Sequence, residues 1–319
     1  MKIGIFTSGG DAAGMNPALK AFVELGYSKG IEPYFIYNGL EGLIDGKIKK
    51  ADYSDVAGIL HKGGTIIKSS RSKRFYQYEY RKQAFENLKK LGIDRLIVLG
   101  GDGSFKAMDV FYHDFGISFL GIPVTIDNDI YGTDYCLGVD TALNVIRHML
   151  DNIRDTASSF GRAFVVETMG RECGYLALVS SIISGAEILS IPELPIDYNS
   201  IEKRLKREIE QGRSYVVAIV AEGTKQTYKM AEFLEKNLDM ETRITILGHV
   251  QRGGNPTVFD RLMAYKFMEF ALEHIGDKEI HAMVAYKDEH LKLVDIDTVV
   301  NNRYSLNPFL LKLGERLTK

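Results

Sequence analysis

Cysteine is scarce in this chain: Cys136 and Cys173 are the only two in 319 residues. That is too few for a disulfide scaffold or a cysteine zinc cluster. An excess of one charge is also missing, because 40 basic residues stand against 42 acidic ones. A nucleic-acid partner normally asks for a clustered basic surface, and this balance gives it no support. No uninterrupted apolar run reaches membrane-spanning length, and the start Met1-Lys2-Ile3-Gly4-Ile5-Phe6-Thr7 reads as a strand rather than a leader. These absences lead us to expect a cytoplasmic protein. Tandem repeats, low-complexity segments, the dinucleotide fingerprint and the Walker A pattern are absent too. What remains is 45% hydrophobic and 26% charged, the composition of a globular protein long enough for two domains.

The most distinctive stretch runs from Leu120 to Ile130, where an apolar run ends in Asp127-Asn128-Asp129, with Asp134 following. An ionised carboxylate at such an edge must be paired, hydrated or metal-bound to offset its desolvation. In an extended segment Asp127 and Asp129 share a direction, which suits one general base beside one Mg²⁺ ligand. Asp-Asn-Asp is also ordinary turn composition, so its surroundings must decide.

Strands are expected at Ile3–Thr7, Ile31–Tyr37, Arg95–Leu99, Ile117–Ile122, Ala163–Glu167, Ile188–Ile191, Tyr215–Val220, Thr242–Leu247 and Ala282–Tyr286. Helical patterns alternate with them, at Tyr78–Leu91, Thr141–Arg154, Gly174–Ile183, Ile201–Gln211, Met230–Asn237 and Asp260–Ile275. Asn16 is positioned to cap a helix with Pro17 at its first position, and Ser104 to cap the one carrying Ala107, Val110 and Phe111. Alternation of this kind predicts an α/β fold: two Rossmann-like, three-layer domains with largely parallel sheets, facing each other across an active-site cleft. The boundary is expected near 138–140, with a crossing back near 250. Ligands of such sheets bind at the carboxyl ends of the strands, where the distinctive loops fall.

Two of those loops, Ser8–Gly14 and Gly100–Ser104, are glycine-rich turns between strand and helix. Such turns bring backbone amides close to an anion. With Asp102 inside the second and Asp-x-Asp on the next strand, they favour a polyphosphate with Mg²⁺, which takes carboxylate and phosphate oxygens. Arg162, Arg171, Arg243 and Arg252 lie near strand starts or ends, and His249 lies in the last glycine-rich loop. Arginines bind phosphate with a rigid fork, and Glu222 at a strand end can accept from sugar hydroxyls. Singly, each is more often a surface ion pair or a satisfied loop residue. Together they describe a second, phosphorylated ligand opposite the polyphosphate.

These motifs resemble the bacterial phosphofructokinase family over essentially the whole chain. The matching segments are Thr-Ser-Gly-Gly-Asp-x2-Gly-Met-Asn at 7–16, Gly-Gly-Thr at 63–65, Gly-Gly-Asp-Gly-Ser at 100–104 and Thr-Ile-Asp-Asn-Asp-Ile-x-Gly-Thr-Asp at 125–134. Glu-x-Met-Gly-Arg at 167–171, Ala-Glu-Gly at 221–223 and Leu-Gly-His-x-Gln-Arg-Gly-Gly-x-Pro-Thr-x2-Asp-Arg at 247–261 add to them. The Gly-Gly-Asp-Gly loop alone is shared with NAD and lipid kinases, which leave 162–261 unexplained.

The resemblance implies Mg²⁺- and ATP-dependent phosphorylation of the 1-hydroxyl of fructose 6-phosphate, in glycolysis, by a homotetramer. It makes Asp127 the general base. Thr125 would position the transferring phosphoryl group, Arg171 and Arg71 would meet its charge, and Asp102 and Asp129 would serve the metal. Gly10, Arg71, Arg74, Gly101, Asp102, Gly103 and Ser104 would hold the nucleotide. Met169, Gly170, Glu222 and His249, beside Asp129, would hold the sugar. Arg252, with Arg162 and Arg243 from a neighbouring subunit, would hold the 6-phosphate. The nucleotide domain would be 1–138 plus 251–303, and the sugar-phosphate domain 139–250 plus 304–319.

Departures from the family pattern cluster on the donor side. Leu40 stands where a tyrosine is usual, Tyr76 where an arginine is, Ala107 where adenine rests on glycine, and Val124 where the loop commonly has glycine. Diphosphate-using relatives carry Asp at Gly103 and Lys at Val124. Gly103 therefore favours ATP, and Val124 matches neither pattern.

At the family's effector site Arg154, Gly185, Glu187 and Arg213 are retained. Lys20, Glu24, Tyr53, Gly58 and Ser214 depart there, and Glu24 replaces an arginine with the opposite charge. Weak or absent regulation by a nucleoside diphosphate or phosphoenolpyruvate is expected. The alternatives to an ATP-dependent kinase are a diphosphate-dependent enzyme and a catalytically weakened paralogue serving as a partner subunit.

Overall fold

Short apolar strands alternate with amphipathic helices along most of the chain. The computed structural model describes residues 1–276 and 279–318. The order begins β1 (Lys2–Thr7), α1 (Met15–Ser28), β2 (Glu32–Ile36), α2 (Gly39–Asp45) and β3 (Ile48–Lys50). It continues through α3 (Tyr78–Leu91), β4 (Arg95–Gly100), α4 (Asp102–Phe115), β5 (Ser118–Pro123) and α5 (Val139–Phe160). Next come β6 (Ala163–Thr168), α6 (Tyr175–Ser184), β7 (Ile188–Ser190), α7 (Tyr198–Glu210), β8 (Val216–Ala221), α8 (Thr227–Leu238) and β9 (Thr242–Ile246). The chain ends with α9 (Val258–His274), β10 (His281–Lys287), β11 (His290–Asp295), α10 (Ile296–Asn301) and α11 (Pro308–Thr318).

The chain divides into two units: Met1–Ile126, Ile130–Thr141 and Arg252–Tyr304 form the first, and Asp127–Asp129, Ala142–Gln251 and Ser305–Lys319 the second. The chain passes between them inside α5, a few residues beyond the expected 138–140. One continuous helix carries it across, so no loop marks the change.

The first unit holds a seven-stranded sheet in the order β11-β10-β5-β4-β1-β2-β3. It is parallel except at its rims, where β10 pairs with β11 and β2 with β3 antiparallel. Every residue of β5 is buried, as expected of a central strand covered on both faces. Phe6, Phe22, Phe35, Phe105, Phe111, Phe119 and Phe267 are all fully buried in this unit. At roughly 1.5–3 kcal/mol for each such side chain, they outweigh any single polar contact in holding the layers together. The second unit holds a four-stranded parallel sheet, β7-β8-β6-β9. One apolar cluster covers it with Leu205 of α7 and Met230 and Leu234 of α8. Among the described residues no helix is long and apolar enough to cross a membrane.

Several local expectations need correction. Asn16 does not cap α1, which begins at Met15 after Gly14. Its side chain instead donates to the carbonyls of Lys62 and Gly63 and accepts from the Ile66 amide, so it pins a distant loop. Ser104 likewise lies inside α4, whose N-cap is Gly101. The glycine-punctuated stretch after β2 contains helix α2, closed by Gly46 in the left-handed conformation. The rim elements β3, β11 and α10 and the terminal α11 escaped the sequence reading because they are short or polar on one face.

Candidate active site

In the first unit three adjacent strands end together. Thr7 of β1 pairs with Leu99 of β4, and Gly100 pairs with Pro123 of β5. Their loops are therefore neighbours, tied by Ser8 N–H to Leu99 O at 2.9 Å and Val124 N–H to Gly100 O at 2.9 Å. Gly10, Gly101, Asp102, Gly103, Ser104 and Thr125 all belong to this edge. Gly101 comes close to Thr125, while a side chain at Gly103 would meet nothing within 4 Å. Asp102, at the start of α4, pairs with Lys106 across one helical turn at 2.7 Å, both partly exposed.

Arg252 also joins this edge. Its guanidinium covers Gly10, where an added Cβ would fall 1.4 Å from Nη2, so a side chain there would displace the arginine. Its Nε donates to the Asp11 carbonyl at 3.3 Å. Within the chain Arg252 therefore lies against the loop expected to hold nucleotide. Arg74, expected on the nucleotide phosphates, is held by Glu41 and by Asp45 at 2.9 Å. Hydrogen bonds from the Arg74 guanidinium hold Glu41 and Asp45 below the usual carboxylate range. Arg71 is exposed, as is Tyr76; Leu40 and Val124 are buried.

The second unit gathers its own strand ends. β6, β8 and β9 pair in parallel, with Thr168 opposite Ala221 and Glu167 opposite Ile246. Met169 N–H donates to Gln251 Oε1 at 3.1 Å, and Arg171 N–H to Glu222 Oε1 at 2.9 Å. Gly170 takes φ +137°, and a Cβ there would fall 2.4 Å from the Cys173 carbonyl oxygen. The turn then holds Arg171 itself at φ 53°, in the left-handed region that non-glycine residues rarely occupy. Such strain costs of order 1 kcal/mol and persists where the surroundings impose it.

That conformation brings Arg171 Nε to 3.2 Å from Asp127 Oδ2. The carboxylate is only 6% exposed and the guanidinium 56%. Asn128 is also left-handed, at φ 51°. Asp127 and Asp129 therefore do not share the common direction of an extended segment: the first is buried and the second half-buried. Asparagine tolerates this region better than most residues, so the turn composition and the acidic pair are parts of one device. Burial pushes the nearby Cys173 thiol up to about 12, with the carboxylates of Glu193, Asp129 and Asp127 adding to it.

The arginines do not converge as one set. Arg171 follows the carboxyl end of β6, whereas Arg162 precedes its amino end, and Arg243 lies beside Phe164 near the start of β9. The six residues of β6 hold the two ends roughly 20 Å apart at the usual strand rise. Arg162 and Arg243 instead share Glu241, with Arg162 Nε at 2.7 Å. His249 is exposed beside the Gly248–Arg252 turn.

Among the retained effector residues, Glu187 is buried and pairs with Arg213 at 2.6 Å. Arg154 lies beside Gly185, and its Nη2 is buried without a hydrogen-bond partner. In the first unit Lys20 pairs with Glu24 at 2.6 Å, and Tyr265 donates to the same carboxylate. Burial raises the Glu24 pKa, but those two partners outweigh it and hold the group below its ordinary value.

Sequence reasoning missed Asp260, although it lies within the 247–261 motif. It is fully buried and accepts from the Tyr135 hydroxyl, from Gly138 N–H at 2.6 Å, and from the Thr141 N–H at 2.8 Å and its hydroxyl. Position in a motif does not by itself separate a ligand group from a structural hub.

A family profile described as Phosphofructokinase matches residues 2–275. A protein of Sulfurimonas denitrificans named ATP-dependent 6-phosphofructokinase is 57% identical, over 97% of this chain and 97% of its own. A namesake from Thermotoga neapolitana is 44% identical over 99% of both. The solved phosphofructokinase of Saccharomyces cerevisiae superposes with a TM-score of 0.91 at 34% identity, over 99% of this chain and 47% of that one. This chain thus spans about half of the yeast chain and nearly the whole of the bacterial relatives. Diphosphate-dependent phosphofructokinases of Marinobacter aquaeolei and Nitrosospira multiformis share the fold at 18% identity. With its glycine-rich strand ends and the Asp127–Arg171 pair falling within that match, the chain belongs to the phosphofructokinase family.

Proposed function

We propose that this chain is a kinase that transfers the γ-phosphoryl group of ATP to the 1-hydroxyl of fructose 6-phosphate, giving fructose 1,6-bisphosphate and ADP, a step of glycolysis in the cytoplasm. The observation that carries the reading is the buried Asp127 carboxylate with the exposed Arg171 guanidinium against it, in a chain 57% identical to an ATP-dependent 6-phosphofructokinase.

Asp127 takes the proton from the sugar 1-hydroxyl as that oxygen attacks phosphorus and the bond to the ADP oxygen breaks. Burial limits competing water, and the arginine beside the carboxylate fixes its orientation toward the hydroxyl it serves. Arg171 serves twice in this reading. It orients the base before reaction, and it meets the charge on the transferring oxygens in the transition state, where stabilisation accelerates the chemistry. Thr125 and Arg71 assist in placing that group. Gly10, Gly101, Gly103 and Ser104 present backbone and hydroxyl donors to the phosphates, and Arg74 reaches them only by leaving Glu41.

Asp102 and Asp129 fit Mg²⁺ as hard oxygen donors: Asp102 is partly exposed, and its Lys106 partner is free to swing away into solvent. When bound, the ion neutralises phosphate charge. Met169, Gly170, Glu222 and His249 hold the sugar.

Arg162 and Arg243, at the far end of β6, complete the 6-phosphate site of a neighbouring copy with that copy's Arg252. The active assembly in this reading is a symmetric homo-oligomer, a homotetramer. Initial rates with fructose 6-phosphate and ATP, GTP or diphosphate test the donor. Activity confined to diphosphate would contradict the reading.

A further inference from the structure

A second group of ligand-type side chains lies in the first unit at the opposite end of the strands. Asp109 and His113 are one turn apart on α4, so they share a face. His281 opens β10 opposite Phe119, near the start of β5 rather than at its catalytic end. Asp295 caps α10, and Asp297 follows in its first turn. Ligand atoms of Asp109, His113 and His281 lie within 4.8 Å of one another, as do those of His281, Asp295 and Asp297.

His281 is the informative member. It is 9% exposed, its ring is stacked on Tyr112 at 4.0 Å and 8°, and Phe119 meets it edge-on at 5.2 Å. The plane of the imidazole is thus fixed, with Nε2 aimed at Asp109 Oδ1, 3.0 Å away. Yet neither atom has a hydrogen bond of proper geometry. Leaving a buried polar atom so costs about 1–3 kcal/mol. The carboxyl group of Asp297 also comes within hydrogen-bonding reach of Asp109, and burial with that neighbour raises the Asp109 pKa. Burial lowers that of His281. A buried imidazole nitrogen and a buried carboxylate oxygen 3.0 Å apart, neither of them hydrogen-bonded, share one unmet need, a cation between them.

We propose that Asp109, His113 and His281, whose ligand atoms already converge, form a site for one divalent transition-metal ion, best matched to Zn²⁺, with Asp297, which touches Asp109, moving in as the fourth ligand and so fastening α4 to β10 and α10. Two imidazoles and two carboxylates make a four-ligand set of the kind zinc takes, and the two negative charges balance the ion. With zinc–ligand bonds of about 2.0–2.1 Å, neighbouring ligand atoms of a tetrahedron lie about 3.3 Å apart. The observed separations are 3.0 Å from Asp109 to His281 and 3.4 Å from Asp109 to His113. Exposed His113 now bonds the Asp109 carbonyl through Nδ1 at 2.9 Å, and ligation exchanges that bond for the metal. The hard, oxygen-only donors Asp102 and Asp129 suit Mg²⁺ instead, so the two ions do not compete for one site.

The test uses the full chain, stripped with a chelator and titrated with Co²⁺ in excess Mg²⁺, with Zn²⁺ as competitor. One Co²⁺ per chain is expected, with the intense visible bands of a four-coordinate ion, displaced by Zn²⁺ and accompanied by a rise in Tm of several degrees. His113→Ala and Asp297→Asn alter exposed side chains and leave the fold intact. Each should weaken binding at least tenfold, and His281→Gln should abolish the bands. Absence of saturable four-coordinate bands would overturn the proposal, because the cluster would then be satisfied by protons alone. Bands that persist unchanged in His113→Ala and Asp297→Asn would overturn it equally, by locating the metal elsewhere.

Discussion

Arg171 Nε stands 3.2 Å from Asp127 Oδ2 although the arginine is mostly exposed and the aspartate is buried. Two left-handed residues, Asn128 and Arg171 itself, turn the backbone so that they meet. An arginine tied only for stability would be expected to be buried with its partner. This one is 56% exposed, as the proposed contact with a phosphoryl oxygen requires. Arg171→Lys keeps the charge but loses the planar fork, and we expect it to lower kcat about ten- to a hundredfold with little change in Tm. A loss of stability with unchanged kcat would make the pair structural.

Asp260 predicts the opposite pattern. Its carboxylate accepts from Tyr135, Gly138 and Thr141, and removing it strands several buried donors. Asp260→Ala should cost about 1–3 kcal/mol for each buried donor left unsatisfied, read as a lower denaturant midpoint. Tyr135→Phe should cost about 1 kcal/mol. Equal stability of Asp260→Ala and the parent chain would contradict this role.

Complementation tests the sharing of sites. In the proposed assembly a chain carrying Asp127→Asn still offers Arg162 and Arg243 to a neighbour, while a chain carrying Arg243→Ala keeps the proposed base. Each homo-oligomer should be nearly inactive. Dissociated and reassembled together, the two should regain a fraction of parental activity. No recovery in demonstrated mixed oligomers would mean that Arg243 serves its own chain.

Regulation should be weak because Glu24 both inserts a negative charge and neutralises Lys20 at 2.6 Å. Phosphoenolpyruvate and ADP are expected to leave the sugar saturation curve unshifted, despite the unpaired Arg154 Nη2. An inhibition by phosphoenolpyruvate that disappears in Arg154→Ala would contradict that expectation.

Cys173 lies close to the acidic residues of the site, yet its thiol is buried and pushed up to about 12. Thiolate is the reactive form, so the fraction present stays small until pH approaches that value. Alkylating agents should leave the native activity intact at neutral pH. Inactivation that tracks modification of Cys173 would show that the site opens more than its burial allows.

The alternation of strands, helices and glycine turns was legible because buried strands such as β5 are apolar throughout and their loops are not. The acidic loop was legible as carboxylates delivered at a strand end but not in its geometry: nothing in Asp-Asn-Asp announces that Asn128 turns left-handed. Arg162 and Arg171 looked like one basic group because sequence separation hides which end of a strand a residue occupies. The hold of Asn16 on a distant loop and the buried hub at Asp260 are illegible for a related reason, since a polar side chain that satisfies distant groups has no local signature.

The most direct test of the account is the steady-state rate of fructose 6-phosphate phosphorylation by ATP in the parent chain and in Asp127→Asn, with saturation curves for both substrates. A general base contributes about 10²–10⁴-fold, so the account predicts a kcat fall of that size, with modest changes in KM and none in oligomeric state. A parental kcat in Asp127→Asn would contradict it, because the proton would then leave by another route.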